Sequence, residues 1–475
     1  MPTPSSPRPA AFGMLVLMLV LAALDQTILS TAAPVMAREL PGHWPIAWVF
    51  SAYLLAATVV ITPYGRLADL WGRKPVLLLA IGLFVLGSLA CGAATDLRQI
   101  VLARALQGTG GGGLMTLSLL AVADLYPPEQ QGPRKALLGA TYGVATMFGP
   151  LAGGTLVQGL SWHWAFWINV PLAALAAAVL ARTLPAPKAP APAARGTVDL
   201  LGALLLALAL VALLLATQQA RLGLPAWATA GLLAALGVKC ALGFLWRQRR
   251  ARHPLLPLSL FARPAYAAAA TIALATGVAL YAAVAFVPQY LQAGLQLSPT
   301  ASAWHLAPLM AGLTLAAVAS GRLLRAQWAT ATLARLASAA MLLAFALMGA
   351  AVRWWPDAPL ALSVALLPLG AGLGLAFPVV TAVAQRSAPA QHLGVAMAVP
   401  VMLRSLGGAF GVALLAALLA HDVAAQLPQL PGPQAWRGAY AHGLQQVFGG
   451  GMAAALLAWL ASRWLPARRA VAAAG

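Results

Sequence analysis

Apolar residues run along this chain in long blocks punctuated by Gly, Pro and Arg, and many blocks reach the roughly 20 residues that a helix needs to cross a hydrocarbon core. The pattern predicts spans over 12–33, 45–64, 75–94, 98–123, 136–158, 164–184, 199–217, 226–246, 265–288, 303–322, 332–352, 359–384, 393–420 and 446–465, fourteen transmembrane helices in all. Two longer linkers interrupt the series, Pro185 to Arg195 and the basic stretch Arg247 to Pro264. They divide the chain into an N-terminal six-helix bundle (1–184), an inserted two-helix segment (185–264) and a C-terminal six-helix bundle with a short tail (265–475). The expected fold class is an all-α membrane protein.

Composition agrees: 61% of the 475 residues are hydrophobic and 8% charged, far outside soluble usage. The net charge of +20 would suit nucleic acid only on the basic face of a folded soluble domain, and no such domain is present. The cations stand instead between apolar blocks, where they set topology by staying cytoplasmic. One set of loops holds Arg66, Arg73, Lys74, Arg134, Lys135, Arg182, Lys188, Arg195, the run Arg247 to Arg252, Arg263, Arg322, Arg325, Arg335 and Arg386, whereas the alternate loops hold only Arg38, Arg98, Arg221, Arg353 and Arg437. Both termini are therefore expected in the cytoplasm, with the chain in a bacterial inner membrane. Cys91 and Cys240 lie inside apolar blocks, far apart and outside any CxxC pattern, so no structural disulfide is expected. The first apolar run could pass for a signal peptide, but it contains Asp25 and is followed by many more spans, which predicts an uncleaved first helix.

The two outer blocks echo one another, as in transporters built from repeats. Gly65-Arg66-Leu67 closes the second span of the first block and Gly321-Arg322-Leu323 the second span of the last. The Gly-rich run Gly108 to Gly113 returns as Gly370, Gly372 and Gly374.

Candidate chemistry is sparse. Asp25 is the one acid placed well inside a span, where an ionised carboxylate costs at least about 2.5–3.5 kcal/mol on insertion scales, so it is a functional candidate by default. It suits a proton carrier, or else a structural acid that pins a helix contact. At 1.5 Å per residue, Asp25 and Arg104 lie roughly 12 and 10 Å below the same surface, which predicts that they meet. Such a pair either responds to a proton or simply orients two helices. Gly65, Asp69, Gly72, Arg73 and Lys74 form a tight charged link in which Asp69 can pair with Arg73 or Lys74. Gly143, Gly149, Pro150, Gly153 and Gly154 share one span, where Pro kinks a helix and small residues admit a close neighbour.

Four motifs in order carry a family resemblance: Leu24-Asp25-x-Thr27-Ile28 with Pro34; Gly65-x-Leu67-Ala68-Asp69-x-x-Gly72-Arg73-Lys74; Arg104-x-x-Gln107-Gly108-x-Gly110; and Gly149-Pro150-x-x-Gly153-Gly154. With these the chain resembles the major facilitator superfamily, and within it the fourteen-helix drug:proton antiporters of the EmrB/QacA type. Further similarity in Trp162 to Pro171, Pro254 to Phe261 and Pro288 to Pro308 extends the likeness over most of the chain. The resemblance implies a proton-responsive Asp25, an essential cation at Arg104, a cytoplasmic gate around Asp69 and Arg73, and an antiporter element in the Gly-Pro helix. Ser30, Leu70 and Arg325 depart from the family pattern, and Arg325 stands where the first repeat has Asp69.

The function implied is proton-coupled efflux of small lipophilic compounds by alternating access, the rivals being a dedicated exporter of one metabolite or a symporter. The chain has no Walker-type motif and no soluble domain to hold ATP, and it shows none of the clustered nucleophiles or metal ligands of an enzyme. No cofactor is expected, the proton gradient being the energy source. The expected partners are lipid, substrate and protons, with no nucleic acid; a periplasmic adaptor protein is allowed by the resemblance alone. Tyr53, Tyr142, Phe148, Tyr281, Phe286 and Phe377 are candidate walls of a substrate site. Arg404, part way through its span and ahead of Gly407-Gly408, binds an anionic group, pairs with a helix end or snorkels to the cytoplasm. His305, beside Trp304, is either titratable or merely interfacial.

Overall fold

A computed structural model of the protein describes residues 8–42, 44–185, 199–217, 226–251, 254–256, 258–387, 393–426 and 435–466. Among the described residues all regular structure is helical. The helices are α1 (Arg8–Glu39), α2 (Ala47–Trp71), α3 (Arg73–Gly92), α4 (Leu97–Leu125), α5 (Pro128–Gly159), the single turn α6 (Trp164–Trp167), α7 (Asn169–Thr183), α8 (Leu200–Thr217) and α9 (Ala226–Arg250). After them come α10 (Pro264–Gln289), α11 (Pro299–Arg325), α12 (Thr330–Trp354), α13 (Pro359–Ser387), α14 (Leu393–Gln426) and α15 (Ala435–Ala461). Local chemistry sets several ends. Asp96 caps α4 by accepting from the Gln99 N–H at 2.7 Å, and Ser298 caps α11, with Pro299 in its first turn. Only Gly72 separates α2 from α3, at φ +86°, a conformation that glycine adopts without the Cβ clash.

The expected fourteen membrane spans are not supported. Among the described residues ten helices are long and apolar enough to cross a membrane, and Ala47–Ile61 and Leu200–Ala216 are shorter apolar helices. Helices α4 and α5 are not among the ten. The block count treated Gly, Ala and Thr as membrane-filling, yet these residues contribute little transfer free energy. In α4 they are joined by Arg98, Gln99, Arg104 and Gln107, and α5 opens on the polar stretch Pro128 to Lys135. The sheer number of exposed large apolar side chains, including Leu79, Leu86, Leu343 and Leu456, still marks a surface made for lipid.

The chain forms two compact units, one of Met1–Leu210 with Cys240–Leu255 and one of Val211–Lys239 with Leu256–Gly475. In the first, α1 packs on α5 and α7, α2 on α4, and α3 on α4 and α7. In the second, α10 packs on α14 and α15, α11 on α13, and α12 on α13 and α15. The pairs are the same in chain order, so the echo in the sequence is a structural repeat.

Glycines set the register of that repeat. A Cβ on Gly108 or Gly112 would strike Tyr53 or Ala57 of α2, and one on Gly110 would strike Phe84 of α3. Correspondingly, Gly370 and Gly374 abut Leu309 and Leu313 of α11, and Gly372 abuts Ala337 and Met341 of α12. Gly149 and Gly153 of α5 lie against Thr27 and Thr31 of α1, as Gly407 and Gly411 of α14 lie against Leu274 and Val278 of α10. Counted from these contacts, Asp25 corresponds to Ile272, Arg104 to Leu366 and Gln107 to Leu369, and all six are buried.

Candidate functional site

The expected meeting of Asp25 and Arg104 occurs. Arg104 Nη1 donates to Asp25 Oδ2 at 2.6 Å, with both side chains 1% exposed. Arg104 is carried to this depth by α4, whose glycines let α2 and α3 approach closely enough to bury the guanidinium. Its Nε donates to the Val49 carbonyl of α2 at 3.1 Å and its face lies 4.2 Å from the Tyr53 ring. Each apolar or polar surface around the cation is thus a specific partner.

The carboxylate is held by more than arginine. Gln107, one helical turn after Arg104 and therefore on the same face of α4, donates through Nε2 to Asp25 Oδ1 at 2.6 Å and to Ser88 Oγ at 2.9 Å, while its Oε1 accepts from Arg104 at 2.6 Å. Asn169, the first residue of α7, donates to Asp25 Oδ1 at 3.1 Å, and Cys91 Sγ of α3 approaches Gln107 Oε1 at 3.6 Å. Five helices of one unit contribute side-chain or backbone groups to a single buried network. Each of these three partners of Asp25 is a donor, one on Oδ2 and two on Oδ1, so between them they take most of the carboxylate's acceptor capacity. A buried pair of this kind is worth little as net stability but costs several kcal/mol when one partner is removed.

The other expected site residues fall in separate places. At the α2–α3 link, Arg73 Nη1 donates to the Leu120 carbonyl and to Asp124 Oδ1, both at 2.8 Å, and Lys74 Nζ donates to the Leu184 carbonyl at 3.1 Å. Asp124, at the end of α4, is therefore a member of this cluster; the side chains of Arg66 and Asp69 lie outside the described residues. A Cβ on Gly65 would meet open space. Along α5, Thr31 Oγ1 reaches the Pro150 carbonyl at 3.4 Å beside Gly149 and Gly153, and Gly154 is buried. The surroundings of Tyr142 and Gly143 lie outside what is described.

Of the aromatic candidates, Tyr53 is taken up beneath Arg104, and Tyr281 and Phe286 are buried. Phe148 is half exposed, and Phe377 carries the Arg404 guanidinium 4.7 Å above its ring. His305 Nδ1 lies 2.6 Å from Ser363 Oγ, joining α11 to α13. The sequence pattern alone does not single out Gln107, Asn169, Ser88 or Asp124 as site residues. Gln107 carries a usable signal in its spacing to Arg104; the rest come from helices whose rotation the sequence does not show.

Known proteins resemble this chain in sequence and in fold. The sequence pattern described as Major Facilitator Superfamily matches residues 15–412. An uncharacterized MFS-type transporter of Mycobacterium tuberculosis is 35% identical over 416 residues, which are 87% of this chain and 60% of the relative. The chain thus spans less than two thirds of that relative's length. The multidrug transporter protein MdtP of Bacillus subtilis is 28% identical over 409 residues, 85% of this chain and 74% of MdtP. Among solved structures, an inward-facing, unoccupied bacterial homolog of the human lysosomal transporter Spinster superposes with a TM-score of 0.68 at 16% identity, covering 98% of both chains. A D-xylose-proton symporter gives 0.67 at 15% identity over 96% of this chain and 97% of its own. At such identities the structures share the fold alone.

Proposed function

The chain belongs to the Major Facilitator Superfamily and is a multi-pass membrane transporter, not an enzyme; on that premise we propose that it carries small lipophilic compounds out of the cell in exchange for protons. The observation that carries this reading is the buried Asp25–Arg104 pair with Gln107 and Asn169 closing the carboxylate. A charge pair is costly inside a span, and a purely structural position could be filled by apolar side chains, as the corresponding Ile272 and Leu366 of the second unit are buried and apolar. In this reading Asp25 accepts the incoming proton and Arg104 is its counter-charge. Gly65, Asp69, Gly72, Arg73 and Lys74, joined by Asp124, work the gate at one end. Gly149, Pro150, Gly153 and Gly154, with Gly143, form the helix that slides on α1. The 1–184 and 265–475 blocks act as the two bundles, the exposed faces of Phe148 and Phe377 contribute substrate wall, and both termini are cytoplasmic in a bacterial inner membrane. Relatives named as multidrug transporters support export as the direction.

The test is dye efflux and drug susceptibility in a pump-deleted host, with everted vesicles to report direction. Wild type should accumulate substrate in everted vesicles only when their interior is acidified, and Asp25→Asn, expressed to the same level, should lose that accumulation. Full proton-dependent export by Asp25→Asn, or substrate moving in the same direction as protons, would overturn the reading.

A further inference from the structure

The second unit holds a cation for which it has no counter-charge. Of the nine acids in the sequence only Asp357 and Asp422 fall within this unit. Asp357 pairs with Arg437, and Asp422 Oδ2 lies 2.9 Å from His442 Nδ1. Arg404 is far from both. Asp422 is about 27 Å further along α14, and Asp357 precedes α13 by a similar distance from Phe377, the residue on which Arg404 rests. The remaining arginines among the described residues of this unit stand in loops or within about two turns of a helix end, whereas Arg404 lies roughly 16 Å from the start of α14 and twice that from its end.

Nor do the described residues around it supply a counter-charge. Phe377 offers its ring face at 4.7 Å, a contact weaker than the cost of holding a guanidinium at membrane depth. Both side chains are only half-buried, so each keeps some accessible surface. Arg104 makes the contrast: it is 1% exposed, with a carboxylate, an amide and a carbonyl taking its donors.

We propose that Arg404 and Phe377 anchor the anionic end of a lipophilic aromatic acid, the carboxylate or sulfonate pairing with the guanidinium edge and the ring system lying along Phe377. The site names the substrate class of the export reading and rests on that reading only for the transport step after binding. The two acids of this unit are taken by Arg437 and His442, so the charge that Arg404 presents favours an anionic group over an amine.

Binding to the full-length protein in nanodiscs of phosphatidylcholine, with no proton gradient, tests the site. The probes are tritiated anthracene-9-carboxylate and its methyl ester. Wild type should bind the acid about tenfold or more tightly than the ester. Arg404→Gln should remove that preference and leave the ester unchanged. Arg404→Lys, which keeps the charge but loses the flat guanidinium, should retain part of it, and Phe377→Leu should weaken both probes by a similar factor. If Arg404→Gln does not fold, the Lys and Leu variants decide in the same way. Equal binding of acid and ester by wild type, an undiminished preference in Arg404→Gln, or displacement of the acid by added phosphatidylglycerol, which would make this a lipid site, overturns the proposal. Because no gradient is present, failure here leaves proton-coupled export standing, and normal export by Asp25→Asn leaves this site standing.

Discussion

The two units use one set of helix pairings and one glycine register but place their polar chemistry in opposite regions. In the first, the ion pair and its amide partners sit midway along α1 and α4. In the second, the corresponding positions are Ile272, Leu366 and Leu369, and strong polar contacts gather near helix ends: Tyr440 to Gln289 at 2.6 Å, Tyr290 to the Pro356 carbonyl at 2.9 Å, Gln292 to Ser302 at 2.9 Å. The difference shows what duplication constrains. Backbone-to-backbone contact through glycine cannot vary without moving a helix, so it is kept in both halves. A buried side-chain set can be exchanged as a whole, polar for apolar, provided no donor or charge is left behind.

The largest expected effect comes from exchanging that set. Arg104→Leu alone should destabilise the protein by about 3–5 kcal/mol, because the buried Asp25 loses its counter-charge. Adding Asp25→Ile and Gln107→Leu gives the first unit the core of the second and should recover most of that loss while proton-dependent export stays absent. Thermal unfolding in detergent reports the stability. If the triple variant were no more stable than Arg104→Leu, the equivalence of the two cores would be wrong.

A smaller effect separates the shared glycines. Gly407→Ala should destabilise by about 1–3 kcal/mol, since its methyl would meet the Leu274 carbonyl, which belongs to the backbone of α10 and cannot turn aside. Gly411→Ala, four residues further along α14, should cost less, because its methyl would meet nothing closer than Val278 Cα and Cγ1 at 3.1 Å. Melting temperatures of the two variants in one detergent give the order, and the reverse order would show that the α10–α14 contact is tighter at Gly411.

The smallest effect concerns the α8–α9 pair. Asp199 stands just ahead of α8 and accepts from the Gly202 N–H at 3.0 Å, from Arg247 Nε at 3.0 Å and from Gln248 Nε2 at 3.1 Å. Burial pushes its carboxyl up, but these donors together hold it below the ordinary carboxylate value. A lowered pKa in the folded state means that the contribution is present above the unfolded value of about 3.9 and is lost as pH falls through the folded value. Asp199→Ala should cost about 0.5–2 kcal/mol at neutral pH, the worth of a helix cap, and should flatten this acid-limb loss in a pH series of melts. An unchanged acid limb would remove Asp199 from the clamp.

Much of this site was legible in the sequence. Asp25 stood out because a carboxylate inside an apolar block is rare, and its depth pointed to Arg104 through helical rise alone. Gln107 shares a helix face with Arg104 by spacing. Asn169 and Ser88 carry no such mark, since a polar residue in α7 or α3 looks the same whether it faces lipid, a neighbour or the network. The Arg73 partner was likewise hidden, because Asp124 is 51 residues away in sequence. The span count erred in the opposite direction, where glycine-rich helices read as apolar blocks although their burial depends on close packing and not on transfer free energy.

By itself the sequence determined that this is a helical membrane protein with an internal repeat, a costly acid and a cation at matching depth, because hydropathy, period and rise are properties of local chain. Only the tertiary structure decided which donors complete the charge network, which partner Arg73 takes, and that Arg404 rests on Phe377. Those depend on how each helix is rotated about its axis, and rotation is set by the neighbours it packs against.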